Sequence, residues 1–479
     1  MTARHNEKVQ QLREKHPTLR YADYAVNCVP EGLELTFTFD LAPDIRFTPR
    51  LLVPTPSPFI DRLTHRLAFL IGMVEMISYW KVACPARIEV TAGSLDEQER
   101  TFWETVIRHG LGEFFYVNAI SPLLDFTIES SGVDRHDGAS SNTLQRITGS
   151  QLILIGGGKD SIVSLELLSS LNRDTPHLLT TFAVNPIPAS LHAVEAASLR
   201  APLVARRSID PRLLELNRLG YLNGHTPFSA LLAFTSTLVA YLHGIERVVA
   251  SNESSASEGN VEYQGFSVNH QYSKSLAFES LFSDYMTRLN VPVTYYSLLR
   301  PLNELQICAL FSTSPHQHQI FRSCNRAQTL QARAQRPSSH AREGWCGECP
   351  KCIFTYLCLR SFLSQEQLVS IFGTDPSATQ SFVSTSRELA GLTVHKPFEC
   401  VGTFEEVRAS LRHLFKTDKL NTSTSNGLAN LAREIESCSP PSIEELLSNW
   451  DPKHHVPQEL ADIVRTRLKT ATEGLRKWI

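Results

Sequence analysis

The sequence predicts an α/β protein in which a doubly wound parallel sheet follows an N-terminal α+β region and precedes a helical C-terminal region. Three observations carry that expectation. Residues 152–168, LILIGGGKDSIVSLELL, pass from four apolar residues through three glycines into an amphipathic run, the order of a strand, a tight loop and a helix. From Ser150 onward short apolar segments alternate with helical stretches, the pattern of βαβ units with helices on both faces of a parallel sheet. The chain of 479 residues is too long for one ordinary domain, so two or three are expected, with ample core.

In chain order, residues 1–146 read as a separate α+β domain. Leu33–Phe39 alternates as a strand, and Pro54, Pro56 and Pro58 mark a turn. Arg62–Trp80 has helical spacing, Ile88–Thr91 is a short strand, and Leu95–Gly110 is a helix with a charged face. The polar run Ser131–Asn142 is a linker. Residues 147–320 form the central domain, with strands at Leu152–Ile155, Leu178–Val184, Leu203–Ile209, Val248–Ser251 and Val293–Ser297. Ligands in such sheets bind beyond the strand C-termini, where the glycine loop, Asn185 and Ser251–Asn260 all fall. Residues 321–415 hold a cysteine cluster and a candidate strand at Thr393–Cys400. Residues 416–479 form a helical tail, which includes the Ser/Thr/Asn-rich connection Asn421–Asn426.

Composition narrows the class. A hydrophobic content of 42% with 20% charged residues is that of a soluble globular protein. A net charge of −3 supplies no electrostatic reason to expect nucleic acid as a partner. The charged start MTARHNEKVQQLREKH lacks the apolar region of a signal peptide. Phe228–Ile245, the longest apolar stretch, is interrupted by Ser, Thr and His and reads as a core helix rather than a membrane span. Ten cysteines in this length do not suggest a disulfide scaffold, but four of them cluster, which in a reducing compartment points to metal. A cytoplasmic location follows as the expectation, with no membrane partner and the oligomeric state left open.

The chemistry-bearing residues start with the loop. Gly156, Gly157 and Gly158 carry no side chains, so backbone N–H groups can close on an oxyanion at the positive end of the following helix. That suits a phosphate or pyrophosphate. A P-loop would need Ser or Thr where Asp160 stands, and the dinucleotide fingerprint would need glycine at Ser161. Lys159 can neutralise a phosphate, Asp160 is a natural magnesium ligand, and Ser161 either donates to an oxyanion or caps the helix. Glu253 and Glu258 lie in SNESSASEGN (251–260), either a ligand-contacting loop at the end of a central strand or a plain surface loop. In NGHTPFSALL (223–232), Thr226 reads as a helix cap with Pro227 at the first position, and His225 just outside can contact substrate or phosphate. VNHQYSKS (268–275) gathers Asn269, His270, Tyr272 and Lys274, a bunching that suits acid–base work or a solvated loop. Cys324 with Cys346, Cys349 and Cys352 makes a tetrahedral four-thiolate site, a closed structural zinc; an iron–sulfur cluster or chance clustering of thiols are the alternatives.

The GGGKDS run resembles the SGGxDS signature of the PP-loop ATP pyrophosphatases, with Gly156 in place of the first Ser. That resemblance implies a PP-loop (HUP-like) fold and an ATP-binding domain at residues 147–320. ATP would be held by Gly156–Ser161, Asn185 and His225, and Mg2+ by Asp160. LIGGGKDSIVSLE, NGHTPFSALLAF, SNESSASEGN, VNHQYSKS and HKPFECVGTFEE (395–406), with GMVEMISYWK (72–81) and LGEFFYVN (111–118), resemble the bacterial UDP-N-acetyl-α-D-muramoyl-L-alanyl-L-glutamate epimerase family. The resemblance runs to about residue 410, and nothing familiar follows Lys416. It implies conversion of UDP-MurNAc-L-Ala-L-Glu to the D-Glu epimer in peptidoglycan precursor synthesis, with ATP split to AMP and pyrophosphate. Glu253, Glu258, His270, Tyr272 and Lys274 are the catalytic candidates. CGECPKC is also similar to the zinc site of PP-loop deazaguanine-nitrile synthases and does not discriminate. A PP-loop ligase or nucleobase-modifying enzyme is the enzymatic alternative. A non-catalytic nucleotide-binding protein held by zinc is the other.

Overall fold

The computed structural model describes residues 2–56, 60–134, 146–324, 326, 345–393, 395–422 and 426–475. Its strands are β1 (Thr18–Val29), β2 (Gly32–Leu41), β3 (Ile45–Phe47), β4 (Arg50–Val53), β5 (Arg87–Val90), β6 (Thr127–Ser130), β7 (Ile147–Leu154), β8 (Leu179–Val184), β9 (Leu203–Ser208), β10 (Ile245–Ala250), β11 (Val261–Tyr263), β12 (Phe266–Val268) and β13 (Thr294–Ser297). Eleven of them build one mixed, mostly parallel sheet, and β11–β12 is a separate hairpin.

The central strands run β13-β10-β7-β8-β9, every neighbouring pair parallel. Counted in chain order from the far end this is 3-2-1-4-5, so the order reverses between β7 and β10. The glycine loop leaves β7 and SNESSASEGN leaves β10, which puts both at the reversal crevice. The apolar run Leu152–Ile155 explains why the sheet is covered on both faces. Leu152 and Leu154 join one core with Phe234 and Leu238 of the helix Phe228–Leu242. Ile153 and Ile155 join the other with Ile162 and Leu165 of the helix Lys159–Leu171 and Leu305 of the helix Glu304–Ser312. Side chains alternate along a strand, so a continuous apolar run needs partners on both sides.

The N-terminal strands do not stand apart. β9 pairs antiparallel with β4, and the sheet continues through β2, β1, β5 and β6, with β3 on β2. The helix Arg62–Trp80, as expected from its spacing, is buried along almost all its length because it packs on β1 and β2 and also against the helix Phe228–Leu242. A helix apolar all round needs cover all round.

Several local expectations change. The helix expected from Leu95 begins at Glu97, because Asp96 and Glu99 form a capping box. Thr226 is not a cap: the helix starts at Phe228 after Pro227 with no side-chain cap, and the Thr226 carbonyl accepts from the Phe228 N–H. Thr393–Cys400 is not a strand in its described residues. Its backbone turns on itself (Glu399 N to Pro397 O, 2.8 Å; Val401 N to Glu399 O, 2.9 Å), and Pro397 removes a ladder donor. Residues 135–142 of the expected linker and 423–425 of the expected connection lie outside the described residues. The C-terminal helices pack rather than trail: Leu431, Ile435, Val464 and Leu468 are buried in the same core as the helix Lys159–Leu171. Among the described residues no helix is long and apolar enough to cross a membrane.

Candidate active site

The glycine loop is packed on one side and open on the other. Gly157 has φ +83°, and a Cβ there would lie 2.8 Å from the Ser190 amide nitrogen. Its carbonyl accepts from Arg322 N at 2.8 Å, while a Cβ on Gly156 would meet nothing within 4 Å. The helix Lys159–Leu171 starts at Gly158 with no side-chain cap, which leaves its first N–H groups for an anion. Ser161 donates back to the Gly158 carbonyl at 3.0 Å, closing the first turn.

Beneath the loop, three carboxylates meet one ammonium. Fully buried Lys159 bridges Asp160 and Glu304 through Nζ, and one oxygen each from Asp160, Glu253 and Glu304 lie within 4.8 Å of one another. Glu304 is placed by its helix: Asn303 and Gln306 form a capping box, and the Glu304 N–H donates to Glu406 Oε1 at 2.5 Å. Arg300, buried against Glu279, donates to the backbone carbonyls of Glu253 (2.5 Å) and Lys274 (2.6 Å), and so fixes both segments. Burial and then Asp160 push the Glu253 carboxyl upward. Burial also resists ionisation of Asp160, but Lys159 and Lys351 outweigh it and hold its pKa below the usual range. Glu304 Oε1 is buried with no hydrogen-bond partner. Three oxygen donors, one of them orphaned, fit a hard divalent cation.

The other end of the crevice is built differently. Lys274 Nζ lies 3.2 Å from Cys400 Sγ. His270 is a second positive neighbour of Cys400, and its Nδ1 lies 2.5 Å from Glu113 Oε2. Asn260 aligns the two segments: it accepts from the His270 N–H (2.8 Å) and donates to the Pro397 carbonyl (2.9 Å). Lys351 donates from its backbone to Glu399 (3.0 Å) and from Nζ to the Cys400 carbonyl. Burial disfavours a charge on His270, yet Cys400 and Glu113 carry its pKa up to about 9. Burial likewise favours the Cys400 thiol, but Lys274, His270 and Lys351 bring it down to about 5. His225, with its ring 4.4 Å from that of His270, goes the other way: burial, His270 and nearby lysines lower it to about 3. These shifts favour an ammonium against a thiolate at neutral pH, with an imidazolium nearby.

Residues 10–298 match the MurL N-terminal domain and residues 320–443 the MurL C-terminal domain. The chain belongs to the MurL family. It is 36% identical over 381 residues to a UDP-N-acetyl-alpha-D-muramoyl-L-alanyl-L-glutamate epimerase of a Micromonospora species, covering 78% of this chain and 81% of that protein. It is 32% identical over 462 residues to one of Xanthomonas oryzae pv. oryzae, covering 94% and 97%. A Salinispora tropica protein of the same name is 36% identical over 366 residues, 75% of this chain and 76% of that one.

In this MurL-family chain the expected residues divide into groups. Gly156–Ser161 and Glu253 converge at the loop, and His270 and Lys274 converge with Cys400. His225 sits beside His270 and 3.6 Å from Glu113, in the proton-transfer group. Glu258 pairs with the buried Lys396 at 3.6 Å. Asn185 spends its side chain on the backbone of Arg207 (2.8 and 3.0 Å), stitching β8 to β9. The Tyr272 ring is buried between His109 and Phe278, apart from the polar face of its own segment. Glu113, Arg300, Glu304, Lys351 and Cys400 were not among the candidates. Asn303-x-x-Gln306 is a readable helix start, and Glu113 and Cys400 lie inside the blocks that carry the family resemblance.

The four cysteines also converge. Cys324 and Cys349 sulfurs are 3.9 Å apart, those of Cys346 and Cys352 3.7 Å, and all four lie within 4.8 Å. A tetrahedron of thiolates about 2.3 Å from zinc has edges of about 3.8 Å, so the donor set fits that ion. The node braces the crevice from behind. Arg322 and Ser323, just before Cys324, back the glycine loop, while Lys351, between Cys349 and Cys352, holds the Glu399–Cys400 turn.

Proposed function

We propose that this chain epimerises the terminal glutamate of UDP-MurNAc-L-Ala-L-Glu to D-Glu, in peptidoglycan precursor synthesis, by first adenylating its carboxylate with ATP. The observation that carries the reading is the crevice itself. An anion-ready loop over three carboxylates lies one lysine away from a proton-transfer group, at the order reversal of a parallel sheet. The GGGKDS loop on a 3-2-1-4-5 sheet supports a PP-loop (HUP-like) assignment.

The order of steps follows from charge. Removing an α-proton beside a free carboxylate would put a carbanion next to a negative charge. Attack of that carboxylate on the α-phosphorus of ATP forms the acyl-adenylate and expels pyrophosphate, so the neighbouring acyl group becomes an electron sink. The loop N–H groups would cradle the leaving phosphates, with Lys159 reinforcing the carboxylate cluster. Asp160, Glu253 and Glu304 would hold Mg2+, which supplies charge neutralisation for the departing pyrophosphate. Deprotonation, reprotonation on the opposite face and hydrolysis then release the D-epimer and AMP. Cys324, Cys346, Cys349 and Cys352 would hold a structural zinc with no open position.

The test is to incubate the protein with ATP, magnesium and UDP-MurNAc-L-Ala-L-Glu, then to measure AMP and the configuration of the glutamate. Substrate-dependent AMP together with D-glutamate is expected. Inverted product without ATP cleavage would remove the adenylation step, and AMP without inversion would remove the epimerase assignment.

A further inference from the structure

We infer that Cys400 is the base that exchanges the glutamate α-proton on one face of the substrate, with Lys274 and His270 holding its sulfur ready. This rests on the epimerase reading above and holds with or without the adenylate.

Most groups at that end of the crevice are unfit to act as the base. Lys274 is a poor base, since contact with Cys400 raises its pKa above the ordinary lysine value. His270 is held to Glu113 at 2.5 Å, and against burial Cys400 and that carboxylate raise its pKa to about 9. Burial and the charge of His270 lower neighbouring His225 to about 3 and leave it a feeble base. The Tyr272 ring is committed to His109 and Phe278. Glu253 belongs to the carboxylate cluster under the loop. What remains facing the lysine is the sulfur of a half-buried cysteine, 3.2 Å from an ammonium and beside an imidazolium. Its surroundings contrast with Cys84, Cys308 and Cys358, which are buried in the hydrophobic cores. The four node cysteines face one another.

Position supports the role. Lys274 touches Cys400 and also feels the charges of Glu253 and Asp160, so the sulfur stands one side chain from the place where the carboxylate would be activated. The α-carbon is the next atom along the substrate. The bookkeeping closes without a redox step. The Cα–H bond breaks as an S–H bond forms, and its electron pair moves into the neighbouring carbonyl group as an enolate. A proton from a solvent-exchanging acid then adds to the opposite face as the pair returns to carbon, and the thiol gives its proton to water. In the reverse direction the thiol is the donor. The charged groups around the sulfur are Lys274 and His270 on the 268–275 segment, Lys351 on the helix Pro350–Arg360, and Glu399 on its own turn.

The experiment compares wild type with C400S and C400A in D2O, reading AMP release, epimer formation and deuterium at the glutamate α-carbon. Epimerisation and exchange should fall at least about 100-fold while substrate-dependent AMP release persists. Epimerisation within about tenfold of wild type in either variant overturns the assignment, as does AMP release lost in step with exchange, which would mark a structural role. Iodoacetamide treatment of the unmutated protein at about pH 6.5 makes the test independent of folding. Carbamidomethylation should map to Cys400 ahead of the other cysteines, abolish exchange in step, and slow when UDP-MurNAc-L-Ala-L-Glu is present. Modification that leaves Cys400 untouched overturns the idea. If wild type epimerises without releasing AMP, the adenylation reading fails, and lost exchange in C400A still upholds Cys400.

Discussion

At the glycine-loop end of the crevice three carboxylates cluster, two of them on one ammonium, whereas at the other end a cysteine sulfur lies against an ammonium with an imidazolium nearby. The first arrangement has surplus negative charge on hard oxygens and suits a divalent cation with its phosphates. The second has surplus positive charge around a soft, polarisable atom and suits proton traffic. Lys274 stands where they meet. On the proposed mechanism, activation and inversion would be carried by separable side chains, so damage to one end should be distinguishable from damage to the other.

The largest effect should come from the loop end and should strike both activities. Asp160→Asn removes a carboxylate from the cation cluster, and AMP release and epimerisation should fall together by about 100- to 1000-fold. Gly157→Val should do the same: a Cβ there meets Ser190 N at 2.8 Å, and a β-branched residue resists φ +83°. Inversion that survives either change while AMP release stops would break the proposed order of steps.

Lys274→Met should cost epimerisation about 100-fold, more than it costs AMP release. It also removes the leading cause that holds Cys400 low, so the pH at which Cys400 becomes alkylable should rise from about 5 toward the ordinary thiol value. An unmoved alkylation profile would show that the lysine does not hold the thiolate.

Glu113→Gln should be milder, roughly tenfold on epimerisation with AMP release spared. The working form needs Cys400 deprotonated, above about pH 5, and His270 protonated, below about pH 9, so exchange should be bell-shaped between them. Without the Glu113 carboxylate the His270 pKa drops, the sulfur loses part of its positive neighbour, and its own pKa rises. The acidic limb should therefore shift to higher pH and the basic limb to lower pH, narrowing the bell. A bell of unchanged width would disconnect Glu113 from the thiolate.

Cys349→Ser should leave the contrast between the ends least altered. Both activities should decline together with the folded fraction, because the node braces the loop through Arg322–Ser323 and the Cys400 turn through Lys351. Bound zinc, measured by metal analysis, should fall, and stability should drop by about 4 kcal/mol in denaturant titrations. A selective loss of one activity at full stability would mean that the node communicates with one end alone.

How much of this was legible in the sequence depends on distance along the chain. The glycine loop and its helix were readable because strand, turn and helix signals are contiguous there. The helix Arg62–Trp80 was readable from periodicity, though nothing local showed that it would be buried between two other layers. Glu304 was invisible because it reaches Lys159 across 145 residues. Cys400 was hidden twice. Its segment looked like a strand, and its partners Lys274 and His270 arrive from 126 and 130 positions away, set by Asn260 and Lys351. Tyr272 shows the opposite error: adjacency to Lys274 suggested shared chemistry, but in the tight turn Tyr272–Lys274 the two side chains serve a core and a crevice. Asn185 lies at the expected strand end, yet its φ of +47° turns the amide onto the neighbouring strand.

The β4–β9 pairing governs how the molecule can be divided. Arg50, Leu51 and Leu52 lie opposite Ser208, Arg207 and Arg206, and Arg207 reaches from this seam to Glu75 on the long buried helix (2.8 Å). Cutting the chain near residue 146 would not release two finished pieces. It would strip β4 and β9 of a shared ladder and leave each fragment with a raw edge of unpaired amides and carbonyls, an adhesive border for other strands. The fragment without the first 146 residues would also leave the Arg207 guanidinium without Glu75. Circular permutation that keeps both strands in one polypeptide should be tolerated far better than truncation, since what the seam demands is continuity of the ladder and not a particular position for the chain ends.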